Sequence, residues 1–119
     1  MIKGLRVSSI WSEDLNKQLL PFYRDVVGLK VSMETPGFVL LGDPGAPALA
    51  LGTHSEVHGR TADAARHIVG FDSDDVKADS ARLKAAGVEF IEEPAQMPNG
   101  GWISTFKDPE GNLVQLLQF

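Results

Sequence analysis

Three histidines offer the most versatile chemistry in this chain of 119 residues. His54 and His58 stand four residues apart in a polar stretch, and His67 begins the segment HIVGFD. An imidazole can act as a general base or bind a metal near neutral pH. We interpret His54 and His58 as loop histidines, one of which could fold over a ligand. His67 is either a lone general base or a hydrogen-bonded histidine within a sheet.

Cysteines and carboxylates add little to this chemistry. The chain contains no cysteine, so a metal would need His, carboxylate or amide ligands. Asp72, Asp74 and Asp75 cluster where a helix is predicted to begin, and the helix dipole favours negative charge there. Glu92 and Glu93 are interpreted as solvated. Neither a G-x-S-x-G motif nor a glycine-rich phosphate loop is present.

Aromatic side chains are the candidate apolar contacts for a ligand. Trp11 follows the first predicted strand and Phe38 lies on the third. Side chains alternate along a strand, so Trp102, Ser104 and Phe106 share one face of the seventh. The sequence leaves open whether that face lines a cavity or packs under a helix. Ligand pockets are mostly apolar with a few polar groups, which makes all five residues candidates.

Composition and charge limit the classes of partner. The net charge is −5 at pH 7, and the 11 basic residues are scattered, so no nucleic-acid partner is expected. No stretch approaches the ~20 apolar residues of a membrane span, and no signal peptide is recognisable, so no membrane partner is expected. Nothing demands an oxidising compartment, and we therefore expect a cytoplasmic location.

The first half of the chain predicts a strand, a helix and three more strands, with bounds 3–11, 13–27, 29–34, 37–42 and 46–51. Ser12 is the predicted N-cap of the helix, and Gly28 ends it at a position that favours positive φ. Pro21 should bend this helix at a cost of ~3 kcal/mol. Asp43-Pro44-Gly45 predicts a turn, and a polar linker covers residues 53–64.

The same order recurs in the second half, at a period near 60 residues, with bounds for its strands of 66–72, 88–92, 101–107 and 112–118. The intervening helix is capped by Ser73 or Asp74 and ends at Gly87, with Val76, Leu83 and Ala86 on its inner face. The turn 108–112 (DPEGN) marks a hairpin. A repeat of this kind predicts two similar modules that bury a common sheet face.

Four segments together resemble the vicinal oxygen chelate superfamily of glyoxalases, bleomycin-resistance proteins and extradiol dioxygenases: PFYRDVVGLKV (21–31), HIVGFDSDDV (67–76), RLKAAGVEF (82–90) and DPEGNLVQLLQF (108–119). The resemblance implies an α+β fold in which two βαβββ modules form a curved mixed sheet around a cup-like cavity. It implies a single domain over 1–119, with module one at about 1–53, a linker at about 53–65 and module two at about 66–119. It also implies a homodimer with a small-molecule ligand in the cup.

The resemblance places four possible metal-ligand positions at Ser8, near Ala50, and at His67 and Gln115. Metal-dependent members usually carry His, Glu or Gln there. Only His67 and Gln115 are such residue types, and neither is an anion. Because divalent cations are held by imidazole and anionic donors, we expect no metal cofactor. A divalent metal held by His67 and Gln115 is the alternative.

These observations favour a metal-independent small-molecule binding protein of the bleomycin-resistance type, holding an aromatic or amphipathic ligand in the cup. Its predicted ligand contacts are Ser8, Trp11, Phe38, Ala50, His54, His67, Trp102, Ser104, Phe106 and Gln115. The alternative is a metal-dependent enzyme, a glyoxalase-like lyase or a dioxygenase-like protein, using His67 as the catalytic residue with Gln115 and a further unidentified ligand. A subunit with a vestigial cup is a third possibility. Fold alone does not separate them.

Overall fold

Each half of the chain builds one four-stranded mixed sheet in the computed structural model, which describes residues 1–43 and 45–119. The chain divides into two compact units, Met1–Gly59 and Arg60–Phe119, called unit one and unit two below. Pro44 of the predicted turn Asp43-Pro44-Gly45 lies outside the described residues. No helix in the described part of the chain is long and apolar enough to span a membrane.

Unit one contains β1 (Val7–Ser12), α1 (Leu19–Pro21), a π-helical segment (Phe22–Val27), β2 (Val31–Thr35), β3 (Phe38–Leu41) and β4 (Ala48–Thr53). Its sheet order is β1-β4-β3-β2, with β1 parallel to β4 and the other pairs antiparallel. The predicted order of one strand, one helix and three strands is therefore confirmed for this half.

Unit two contains a 3-10 turn (Ala64–Arg66), β5 (Val69–Asp72), α2 (Val76–Ala85), β6 (Phe90–Gln96), β7 (Trp102–Lys107) and β8 (Leu113–Gln118). Its order is β5-β8-β7-β6, with β5 parallel to β8. This topology repeats that of unit one strand for strand. The α+β class and the paired βαβββ modules that the family resemblance implied are confirmed.

The first helix begins later than predicted and has a different geometry. It starts at Leu19 rather than residue 13, and it widens into π-helix from Phe22. Pro21 has no N–H to donate four residues back, which disfavours a regular α-helix through this point. Ser12 is not its N-cap: Ser12 ends β1, and its Oγ accepts from the backbone N–H of Asp14 at 3.2 Å. Gly28 ends the helix with φ 93° as predicted.

Helix α2 is capped by Asp75 rather than by Ser73 or Asp74. The Asp75 side chain accepts from the backbone N–H of Ala78 at 3.0 Å, the usual N-cap contact. Ser73 is instead hydrogen bonded to the carboxylate of Asp79 at 2.7 Å. Val76 and Leu83 are buried as predicted, whereas Ala86 follows the last helical residue and is exposed.

Each unit has one sheet face covered by its own helix. In unit one the face that carries the buried Leu49 and Leu51 also carries Thr53, whose Oγ1 accepts from the N–H of Leu15, just before the helical segment, at 3.1 Å. In unit two the covered face carries Ser104, whose Oγ lies 2.8 Å from Ser80 Oγ on α2. We call the opposite side of each sheet its helix-free face. Alternation along the strands then assigns every strand residue to one of the two faces.

Candidate functional site

Three of the predicted ligand contacts lie together on unit one: Trp11, Phe38 and His54. The ring centres of Trp11 and Phe38 are 6.3 Å apart with the rings tilted by 39°, and those of Trp11 and His54 are 5.8 Å apart in an edge-on arrangement at 76°. Both separations are in the range of attractive aromatic pairs. Trp11 is nevertheless 43% exposed. We call these three residues the aromatic cluster.

Trp11 packs over a glycine on β4, the strand next to its own in the sheet of unit one. Trp11 on β1 is the register partner of Gly52 on β4, and Gly52 is the partner of Phe38 on β3. The three residues therefore form one row on the helix-free face of unit one. A Cβ at position 52 would lie 2.2 Å from Cζ3 of Trp11, closer than any real contact. The indole occupies the space that any other side chain at Gly52 would fill.

Backbone contacts orient His54 at the end of β4. Its N–H donates to the carbonyl of Ser12 at 2.9 Å, and its carbonyl accepts from the N–H of Val57 at 3.1 Å. Its Nδ1 accepts from the backbone N–H of Glu56 at 3.1 Å. The half-buried imidazole is therefore held beside Trp11 by contacts on both its backbone and its ring.

His58 lies in the same loop but outside the aromatic cluster. Its Nδ1 is 3.1 Å from Oε1 of Glu13, and both side chains are exposed. Neither His54 nor His58 belongs to a helix or strand, so the prediction of two loop histidines is confirmed. An exposed pair of this kind stabilises the loop only weakly, since water screens it.

The structure separates Ser8 from Ala50. Ala50 is fully buried on the helix-free face, between its register partners Ser9 on β1 and Leu40 on β3. Ser8 pairs with Leu49 and lies on the opposite face. Ser9 is therefore the β1 residue beside Ala50, and Ser8 lies beside Leu49, the residue that precedes Ala50.

The sequence left open whether the face of β7 with Trp102, Ser104 and Phe106 lines a cavity or packs under a helix. In the structure it packs under α2. Lys77 on α2 lies with its Nζ 4.0 Å from the centre of the Trp102 ring. Ser104 contacts Ser80 of the same helix. Phe106 is fully buried, 5.5 Å from Phe90 between ring centres. Trp102, Ser104 and Phe106 lie on the helix-covered face of unit two, and we leave them out of the candidate site.

Gln115 lies on the helix-free face of unit two, in a polar row that the sequence did not reveal. Its register partners are Gly70 on β5 and Thr105 on β7, and Thr105 in turn pairs with Glu92 on β6. The Gln115 Nε2 donates to Thr105 Oγ1 at 3.3 Å. Glu92 is exposed as predicted, but its place opposite Thr105 depends on strand pairing that no local pattern encodes.

His67 is exposed and precedes β5 rather than lying within it. Its backbone is extended, with φ −141° and ψ 111°. Because His67 lies outside the strand, the register that sets Gln115 beside Gly70 does not set His67 beside Gln115.

The four implied ligand positions do not fit a metal. Ala50 has no donor atom, and Ser8 lies on the face opposite to it. His67 is exposed and precedes β5, and the Gln115 amide is bonded to the Thr105 hydroxyl. Among the described residues there is no group of three or more His, Cys, Asp or Glu that could hold a metal ion. A divalent cation needs converging imidazole or carboxylate ligands, and these positions offer none that converge.

Solved structures of other proteins share this fold. One is a member of the glyoxalase/bleomycin resistance protein/dioxygenase superfamily from Sphaerobacter thermophilus, 25% identical with a TM-score of 0.79 over 99% of this chain and 98% of that one. A second is the antibiotic binding protein TnmS3 from a Streptomyces species, 27% identical with a TM-score of 0.73 over 98% and 96% of the two chains. A third, a lactoylglutathione lyase from Agrobacterium tumefaciens, is 23% identical with a TM-score of 0.74 over 98% and 94%, and shows likeness of fold alone.

No curated protein matched the chain. The family resemblance seen in the four sequence segments is nevertheless confirmed by a match to a family model. The family model described as the Glyoxalase/Bleomycin resistance protein/Dioxygenase superfamily matches residues 9–116, which is nearly the whole chain. This protein therefore belongs to the glyoxalase/bleomycin resistance protein/dioxygenase superfamily.

Proposed function

We propose that this protein binds a small aromatic or amphipathic molecule on the aromatic cluster of unit one, without a metal. The observation that carries the proposal is the half-exposed indole of Trp11, held over Gly52 beside Phe38 and His54. A large aromatic surface kept partly in water is costly unless something covers it. A flat ligand stacked there would bury that surface.

The ring contacts give this surface a defined geometry. Phe38 and His54 meet Trp11 at different angles, so the cluster is a shaped surface rather than a flat apolar patch. Aromatic side chains have few rotatable bonds and lose little entropy on binding, which favours recognition of flat ligands. The fold likeness to an antibiotic binding protein supports a binding role for the same kind of scaffold.

A fluorescence titration with 1-anilinonaphthalene-8-sulfonate (ANS), an amphipathic aromatic probe, tests the proposal. Trp11→Ala should weaken ANS binding at least about tenfold, because removing the indole removes the stacking surface. Trp102→Ala is the matched control, since Trp102 lies under Lys77 on the helix-covered face of unit two. It should change the dissociation constant less than about twofold.

Two outcomes would overturn the proposal. One is unchanged ANS binding in Trp11→Ala, and the other is an equal loss in Trp102→Ala. Urea unfolding of both variants guards against general loss of structure. Calorimetric titration with Zn²⁺, Mn²⁺ and Ni²⁺ tests the metal-independent part, and stoichiometric sub-micromolar binding would contradict it.

The enzymatic alternative gains no support from the site residues. It needs His67 and Gln115 to act on the same bound molecule, and no strand pairing of unit two sets these two residues side by side. A catalytic role for His67 stays a prediction. We also propose, from the family resemblance, that the protein is a cytoplasmic homodimer. Sedimentation equilibrium tests the oligomeric state.

A further inference from the structure

The tautomer of His54 is set by the loop that follows β4. The backbone N–H of Glu56 points at Nδ1 of His54 over 3.1 Å. A backbone N–H can only donate, so Nδ1 must present its lone pair. The neutral ring then carries its hydrogen on Nε2. The loop thereby fixes one end of the imidazole as an acceptor and leaves the other end as a donor.

The ring that carries this donor belongs to the aromatic cluster. The His54 ring is half-buried, with its centre 5.8 Å from that of Trp11. No described residue accepts a hydrogen bond from Nε2 of His54. A polar N–H beside an apolar surface costs free energy if a bound ligand covers it without accepting its hydrogen.

We infer that the ligand is a planar aromatic molecule with a hydrogen-bond acceptor on its rim, which the Nε2–H of His54 recognises. Suitable acceptors are a ring nitrogen, a ketone, a phenolate or a carboxylate. An unsubstituted aromatic hydrocarbon would stack on Trp11 but leave the His54 donor covered and unpaired. This inference rests on the proposed function, since it names the ligand class for the same aromatic cluster.

The test compares quinoline with naphthalene, two bicyclic probes of nearly equal shape that differ by one ring nitrogen. Affinities are measured by isothermal titration calorimetry, so that the dependence on Trp11 can be read from a Trp11→Ala variant in the same assay. The wild-type His54 should favour quinoline over naphthalene by about three- to tenfold more than His54→Phe does. His54→Phe keeps an aromatic ring and removes the donor.

Two further variants separate hydrogen bonding from packing. His54→Gln places an amide N–H near the position of Nε2 and should restore part of the preference for quinoline. His58→Phe makes the same replacement four residues along the loop, outside the aromatic cluster, and should keep the wild-type preference. Two-bond ¹⁵N–¹H correlation spectra should show the hydrogen of the neutral His54 ring on Nε2.

The outcomes distinguish the inference from the function it rests on. If both probes bind with dependence on Trp11 but His54→Phe keeps the wild-type preference, the acceptor inference is wrong and the aromatic-ligand proposal stands. If the hydrogen of His54 is found on Nδ1, the inference is also wrong. If neither probe binds, or binding does not need Trp11, both are overturned.

Discussion

Replacing Gly52 with alanine should separate ligand binding from stability more cleanly than any other single change. The added Cβ would lie 2.2 Å from Cζ3 and 2.5 Å from Cε3 of Trp11. Ordinary carbon contacts are about 3.7 Å, so the indole must move by about 1.5 Å. Because Trp11 is 43% exposed, it can swing outwards into water rather than force the backbone apart.

The expected loss of binding follows from that movement. A shift of about 1.5 Å displaces the surface on which the two aromatic parts of ANS would stack, and aromatic pairs contribute roughly 0.5–1.5 kcal/mol each. Losing two such contacts between the probe and the cluster amounts to about 1–3 kcal/mol, which corresponds to a weakening of ANS binding of roughly five- to 150-fold. The indole would also no longer lie in the row that Trp11, Gly52 and Phe38 form across the sheet.

The free energy of unfolding should change less in Gly52→Ala than the free energy of ANS binding. Gly52 has no positive φ, so its backbone suits alanine. Replacing glycine within a strand gains roughly 0.5–1 kcal/mol, because the unfolded chain loses freedom. This gain offsets much of the roughly 1 kcal/mol expected for overpacking near the surface. Urea unfolding should therefore detect a change below about 1.5 kcal/mol in the free energy of unfolding.

The double variant Gly52→Ala with Trp11→Ala is the control. Without the indole there is nothing for the new Cβ to strike, so the two substitutions should be strongly non-additive in ANS affinity. The reasoning would be refuted if Gly52→Ala bound ANS as the wild type does. Additive effects of Gly52→Ala and Trp11→Ala would refute it equally.

Further predictions concern unit two. Ser104→Ala should lower the free energy of unfolding by about 1–3 kcal/mol, because it leaves the buried Ser80 hydroxyl without its partner, while ANS affinity stays unchanged. Adding Ser80→Ala should recover part of that loss in urea unfolding. Asp108→Ala should destabilise by about 2–4 kcal/mol in thermal melts, since the 3% exposed carboxylate accepts from the N–H groups of Glu110 and Asn112 and from the Asn112 side-chain amide. His67→Ala should leave ANS affinity within about twofold, and a larger effect in the same titration would count against the cluster on unit one as the binding surface.

The repeated module was predictable from the sequence because its signals are local. Apolar alternation marked the strands, Gly28 and Gly87 marked the helix ends, and the DPEGN turn marked the last hairpin. The turn forms as expected, with the Asp108 carboxylate accepting from the backbone of the residues that follow. Each of these signals depends on residues within a few positions of one another.

The faces of the strands were harder to predict than the strands themselves. A one-residue error in register moves a side chain to the other side of a sheet. Ser8 illustrates this, since it pairs with Leu49 and lies on the face opposite to Ala50. Pairing of strands distant in sequence sets this register, and a position known only to within a residue does not determine the face.

The role of Gly52 was missed for a related reason. Trp11 and Gly52 are far apart in sequence and meet only because β1 and β4 run side by side in parallel. A signal was present, since a glycine inside the strand segment ALALGT indicates close approach by another group. Nothing in the sequence says which group approaches it.

The contact between the indole and Gly52 also constrains how this protein can diverge. A lineage that acquires any side chain at position 52 must lose the large aromatic at position 11 or reposition it, so the two sites should vary together among relatives. Phe38 and His54 carry no such constraint and are free to change with the ligand. Substitutions at Phe38 and His54 can therefore change which ligand the surface binds, while Trp11 and Gly52 are kept or replaced together.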